Sequence, residues 1–89
     1  MLIGVPREIK THEHRVGLTT ASVSELVHHG HRVIVEAGAG VAVGLDDDAY
    51  RRAGAGIVDT AAEVFARAEL LVKVKEPQPQ EYGMLREGQ

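Results

Sequence analysis

Short apolar runs alternating with amphipathic stretches set the pattern of this chain. Leu2-Ile3-Gly4-Val5 is apolar and stops at Pro6, which predicts a buried first strand. Residues 6–18 are polar and charged and predict a loop. Thr19 or Thr20 can cap the next element through its hydroxyl. Val23, Leu26 and Val27 then recur at helical spacing and form one apolar face. His28 and His29 fall in the last turn, and Gly30 suits a left-handed terminus. Residues 32–36 predict a second strand, and residues 38–44 a flexible loop of Gly, Ala and Val. Asp46 can cap a short helix carrying Ala49, Tyr50 and Ala53, ended by Gly54.

The pattern then repeats. Residues 56–58 predict a brief third strand. Thr60-Ala61-Ala62-Glu63 matches a capping box, in which Thr and Glu satisfy each other's orphan N–H groups. The helix it opens carries Val64, Phe65 and Ala68, and residues 70–74 predict the fourth strand. Pro77 breaks the chain, and Pro79 can open a further helix with Tyr82, Met84 and Leu85. Strands alternating with helices predict a parallel sheet with right-handed crossovers. The strands are apolar on both faces, as buried parallel strands are. The expected fold is therefore α/β, an open, mainly parallel Rossmann-like sheet with flanking helices. The pattern ends at Arg86-Glu87-Gly88-Gln89 without a closing strand or helix. Residues 1–89 are thus expected to be one domain fragment, truncated at its C-terminus.

Composition narrows the function. A chain of 89 residues makes one small domain. Ten Lys and Arg against thirteen Asp and Glu give −3, which argues against a nucleic-acid or anionic-membrane surface. Aromatic residues are only 3% of the chain, so base-stacking platforms are not expected. The absence of cysteine excludes disulfides and fits a reducing cytoplasm. No signal-peptide pattern is visible, and no apolar run approaches the roughly 20 residues that span a bilayer.

The chemistry centres on two cations far apart in sequence. Arg15 ends the segment that follows the first strand, and Lys75 closes the fourth. In open α/β sheets ligands bind outside the carboxyl ends of the strands. If these two strands are neighbours, both cations can face one small anion. The segments Ile3-Gly4-Val5-Pro6-Arg7-Glu8, Glu13-His14-Arg15-Val16, Val35-Glu36-Ala37-Gly38-Ala39-Gly40, Ala53-Gly54-Ala55 and Val72-Lys73-Val74-Lys75-Glu76-Pro77-Gln78 resemble the N-terminal domain of bacterial alanine dehydrogenases. The soluble part of the membrane-linked nicotinamide nucleotide transhydrogenases shares this domain, and saccharopine dehydrogenases are more distant. Lys75-Glu76-Pro77 favours alanine dehydrogenase.

The resemblance implies reversible, NAD-dependent oxidation of L-alanine to pyruvate and ammonium, by hydride transfer from Cα and hydrolysis of the resulting imine. It implies that Arg15 binds the substrate carboxylate, to which a planar guanidinium offers two parallel N–H groups. It implies that Lys75 contacts the carboxylate or the reacting carbonyl oxygen and stabilises the charge developing there. The general-base histidine and the NAD-binding domain are expected beyond Gln89, so no cofactor-binding residue is assigned here. A cytoplasmic homo-oligomer, a hexamer by family, is expected of the full-length protein, with the fragment inactive alone. Two alternatives stand beside it: the soluble subunit of a proton-translocating transhydrogenase, and a non-catalytic small-anion-binding module using the same Arg15–Lys75 pair.

Other residues carry less. Lys73 shares the face of Lys75 by the two-residue strand period and competes with it for the role. Glu8 and Glu13 can orient Arg15 or each other, or be surface acids. Gly38-Ala39-Gly40 invites a dinucleotide reading, but position 43 is Val, and Asp46-Asp47-Asp48 would repel a pyrophosphate. Those aspartates lack the spacing of a calcium loop and suit a helix N-terminus. His28, His29 and His31 fit a helix end better than a metal site, and His12 and His14 fit a mobile loop. No metal is expected. Ser22 and Ser24 lack a visible His–Asp partner set, so triad chemistry is unsupported.

Overall fold

A computed structural model describes residues 1–89. In chain order it contains β1 (Leu2–Val5), α1 (Thr20–His28), β2 (Arg32–Glu36), a 3₁₀ turn (Val41–Val43), α2 (Asp47–Arg52), β3 (Gly56–Val58), α3 (Ala61–Arg67), β4 (Leu70–Leu71) and α4 (Pro79–Tyr82). The strands form one parallel sheet in the order β3-β2-β1-β4. Leu2 pairs with Arg32 and Val5 with Val35, while Ile3 pairs with Leu70. This is the expected α/β sheet with flanking helices.

The alternation of side chains along the strands divides the core. Ile3, Val5, Val33 and Val35 pack with Val23 of α1 and Tyr50 of α2. Ile34 and Val58 point the other way and pack with Val64 of α3. Helices therefore cover both faces, which is why these strands are apolar throughout. Tyr50 is fully buried, and its hydroxyl donates to Leu18 O at 2.7 Å, so the one polar atom of a large apolar ring is satisfied. That bond also ties the end of the loop after β1 to the core.

Helix starts follow the chemistry of their caps. Thr19 Oγ1 accepts from Ser22 N at 3.2 Å, Asp46 Oδ1 from Ala49 N at 2.8 Å, and Thr60 Oγ1 from Glu63 N at 3.2 Å. Glu63 turns instead to Arg67 at 3.2 Å, so the expected capping box keeps its threonine half. α4 stops at Tyr82 and does not extend through Leu85, because Gly83 ends it after one turn.

β4 is shorter than the expected 70–74. Val72 N donates to Gly4 O, but the next position on that side of β1 is Pro6, which has no N–H. The ladder ends there and the two strands part.

Gly4 sits where β1 and α3 touch. A Cβ there would lie 2.5 Å from Ala68 Cβ and 2.8 Å from Val64 Cγ1, closer than carbon atoms pack. Gly4→Ala should therefore destabilise the protein by about 1–3 kcal/mol through overpacking. A urea melt reads this as a lower midpoint at constant slope. An unchanged midpoint would show that α3 can move away at no cost.

Candidate active site

The strand order reverses at β1. From β1 the chain winds through β2 to β3 on one side, and β4 then lies on the other. The crevice between the carboxyl ends of β1 and β4 is the switch point at which open α/β sheets bind ligands. The loop bearing Arg15 leaves β1, and Lys75 follows β4. The two strands are neighbours, as the pairing of the two cations requires.

Glu8 holds the crevice in shape. Its carboxylate accepts from Val74 N at 3.0 Å and Lys75 N at 3.3 Å, replacing the partners that β1 no longer supplies. Lys73 Nζ lies 3.4 Å from Glu8 and 3.1 Å from Glu81, and all three side chains are buried. Lys73 therefore belongs to the interior, not to the cleft. It does not share the exposure of Lys75 because the strand has ended before either residue. Glu81 also accepts from Gln78 N at 2.9 Å, so one carboxylate caps α4 and pairs with Lys73.

Glu13 is the centre of the exposed half. A turn closed by Glu13 N donating to Lys10 O at 3.0 Å places His12 in the left-handed region at φ 66°. The Glu13 side chain is then only 5% exposed, whereas Arg15 is 66% exposed and Lys75 39%. Its carboxylate accepts from Arg15 N at 2.9 Å, and from Arg15 Nε and Nη2 at 3.0 Å each. Lys75 Nζ stands 3.9 Å away, too far for a hydrogen bond but close enough for a charge interaction. The sequence left Glu8 and Glu13 to orient Arg15 or each other, or to be surface acids. Glu13 is the one that hydrogen-bonds Arg15, while Glu8 acts on it only through its charge, and the signal for Glu13 was the bare Glu-His-Arg spacing.

These contacts fix the charges. The Arg15 side chain, then its backbone N–H, hold the Glu13 carboxyl down at about 2, with Lys75 adding to the effect. The same pair raises the Arg15 guanidinium. Glu76 is also lowered, chiefly by its hydrogen bond from Lys10. Lys10, His12, Glu13, Arg15, Val43 and Lys75 line an open cleft of about 500 Å³. The arrangement can take a small anion against Arg15 and Lys75.

The glycine loop after β2 does not fit a dinucleotide. Gly38 N donates to Asp47 Oδ1 at 2.9 Å, so that N–H already holds a carboxylate. A Cβ on Gly40 would lie 2.6 Å from both Leu45 O and the Tyr50 ring, so close packing explains that glycine. His28 and His29 meet edge to face, and His29 pairs with Glu25 at 2.9 Å. No three His, Asp or Glu side chains converge as a metal site, and no helix is long and apolar enough to cross a membrane.

The sequence profile of the alanine dehydrogenase/PNT N-terminal domain matches residues 4–89. The chain belongs to that family. It is 52% identical over 89 residues to an alanine dehydrogenase of Mycolicibacterium smegmatis, and 51% over 88 residues to one of Bacillus subtilis. A solved L-alanine dehydrogenase superposes with a TM-score of 0.93 over 97% of this chain at 49% identity. A transhydrogenase from Sinorhizobium meliloti superposes with a TM-score of 0.90 over 99% at 35% identity. The chain spans about a quarter of these relatives: 24% and 23% of the two curated proteins, and 24% and 26% of the two solved chains.

Two outcomes are expected from this geometry. Glu8→Ala leaves Lys73 facing only Glu81 and orphans two backbone N–H groups, and should cost about 3–5 kcal/mol of stability. Denaturant unfolding measures it, and a loss under 1 kcal/mol would make the buried cluster dispensable. The second outcome concerns pH. Because the folded pKa of Glu13 is depressed, its stabilisation is present above the ordinary value of 4.5 and is lost as pH falls towards about 2. Carboxyl NMR of Glu13 should show a midpoint near 2, and Arg15→Ala should raise it. A midpoint unmoved by that substitution would remove the Arg15 contact as its cause.

Proposed function

We propose that this chain is the substrate-binding N-terminal part of an NAD-dependent alanine dehydrogenase, in which Arg15 and Lys75 hold L-alanine or pyruvate. One observation carries the reading: both cations line a single cleft at the β1–β4 switch point, and both lie within 4 Å of Glu13. The higher identity to the dehydrogenase, 49% against 35% for the transhydrogenase, supports the choice within the family.

Glu13 uses Nε and one N–H of Nη2, so Arg15 keeps its Nη1–Nη2 edge for a second carboxylate. That edge presents two parallel N–H groups, the geometry a substrate carboxylate matches. Lys75 makes no side-chain hydrogen bond within the chain, and its ammonium is available to the substrate carboxylate or carbonyl oxygen. As the C–O bond of pyruvate gains or loses negative charge, a fixed cation beside that oxygen lowers the barrier. The oxidant is NAD, bound outside these residues, and the general base is a histidine beyond Gln89. The full-length enzyme is a cytoplasmic homo-oligomer, a hexamer as in the family, and residues 1–89 alone are inactive.

The test is L-alanine-dependent NADH formation by the full-length protein, with nucleotide-to-nucleotide exchange alongside. Exchange without alanine turnover would move the chain to the transhydrogenases. Silence in both assays would leave an anion-binding module. In an active enzyme, Arg15→Ala and Lys75→Ala should each lower kcat/KM by about a hundredfold, since each removes charge-assisted hydrogen bonds. Near-unchanged kinetics for either would remove that residue from the site.

A further inference from the structure

We propose that Glu13 sets the substrate class, restricting the Arg15–Lys75 cleft to monocarboxylates. The inference rests on the function proposed above and names the residue that would give it selectivity.

The cleft is open and about 500 Å³, so size does not exclude a longer acid with a second carboxylate. Charge does. Its cations are Lys10, Arg15 and Lys75. Lys10 is paired with Glu76, and Arg15 is paired side-on with Glu13. One positive charge is left in surplus, and a single substrate carboxylate cancels it. A second carboxylate would then meet Glu13 with no free cation to receive it. At about 4 Å, two like charges in a partly solvated cleft repel by more than RT.

Glu13 cannot avoid this role by moving or by taking up a proton. Its side chain is buried, and three N–H groups of Arg15 hold it. Its carboxyl remains charged at every pH above the acid range. It is a fixed negative charge in the lining of the cleft. A surface acid of the same loop would be screened and mobile.

The experiment is direct binding of pyruvate and of oxaloacetate to the full-length enzyme, wild type against Glu13→Gln, followed by calorimetry and by steady-state inhibition. The Gln amide oxygen can still accept from Arg15 Nε, so the guanidinium keeps an anchor while the charge is lost. The ratio of oxaloacetate to pyruvate affinity should rise about tenfold in Glu13→Gln, with pyruvate changing less than oxaloacetate. Glu13→Asp keeps the charge and should keep the wild-type ratio, and this variant decides the matter if Glu13→Gln fails to fold. Equal changes for both ligands would make Glu13 an Arg15-positioning residue only and overturn the inference. So would a Glu13→Asp enzyme that accepts oxaloacetate freely. A wild-type enzyme that binds neither ligand would instead overturn the underlying function, a separate result.

Discussion

Pro6 is the constraint on which the rest of the site depends. It occupies the position where β1 should donate its next ladder hydrogen bond to β4, and it has no hydrogen to give. Two parallel strands that were paired at Gly4 and Leu71 must separate there. Separation exposes the backbone N–H groups of Val74 and Lys75, which need a buried acceptor. Glu8 supplies it from two residues past the proline. The crevice is thus opened by a missing donor and held open by a carboxylate. The placement of Lys75 follows from that substitution of a side chain for a strand.

Two ion clusters built from the same residue types then divide the labour by burial. In the inner cluster Lys73 lies between Glu8 and Glu81, all shielded from water. Buried charges of this kind are costly to separate, so they fix geometry. In the outer cluster Glu13 is buried but its cationic partners reach into solvent. An exposed cation loses less on being drawn to a ligand, and its remaining donors are free to be used. The inner set joins the β1 loop to β4 and α4, and the outer set stands on that frame. Two lysines only two residues apart therefore end in different surroundings, Lys73 in the interior and Lys75 at the cleft.

The local pattern carried most of the fold. Strand and helix positions follow from apolar spacing and from Thr19, Asp46 and Thr60 as caps, because these are decided within a few residues. The end of β4 was not legible, because it depends on Pro6 and Glu8, more than sixty residues away. The same distance hid the separation of Lys73 from Lys75, for which the strand period gave one shared face. The adjacency of β1 and β4 was conditional in the sequence, since apolar runs do not state which strand lies beside which. The Arg15 and Lys75 assignments came from resemblance to a family, and Glu13 was visible only as an acid near an arginine. No local rule chooses between Glu8 and Glu13 as its partner. That choice is made by the left-handed turn at His12, which carries Glu13 back under the guanidinium.

The electrostatics of the outer cluster also limit where the pH dependence of any turnover can originate. Contact with Glu13 raises Arg15, and contact with Arg15 lowers Glu13, so the pair deepens its own ionisation in both directions. Glu76 is pushed the same way by Lys10. These groups keep one charge state across the range in which proteins operate. On the function proposed above, a substrate amine must nevertheless lose a proton before its carbon can be oxidised to an imine. On that reading the acid–base step falls outside these ion pairs, and the imidazoles that line the cleft are His12 and His14. Neither makes side-chain hydrogen bonds of the kind that hold Glu13, and His12 is committed to a backbone turn. On the proposed function the base comes from elsewhere, and what these residues contribute is a site of constant charge against which that base can work.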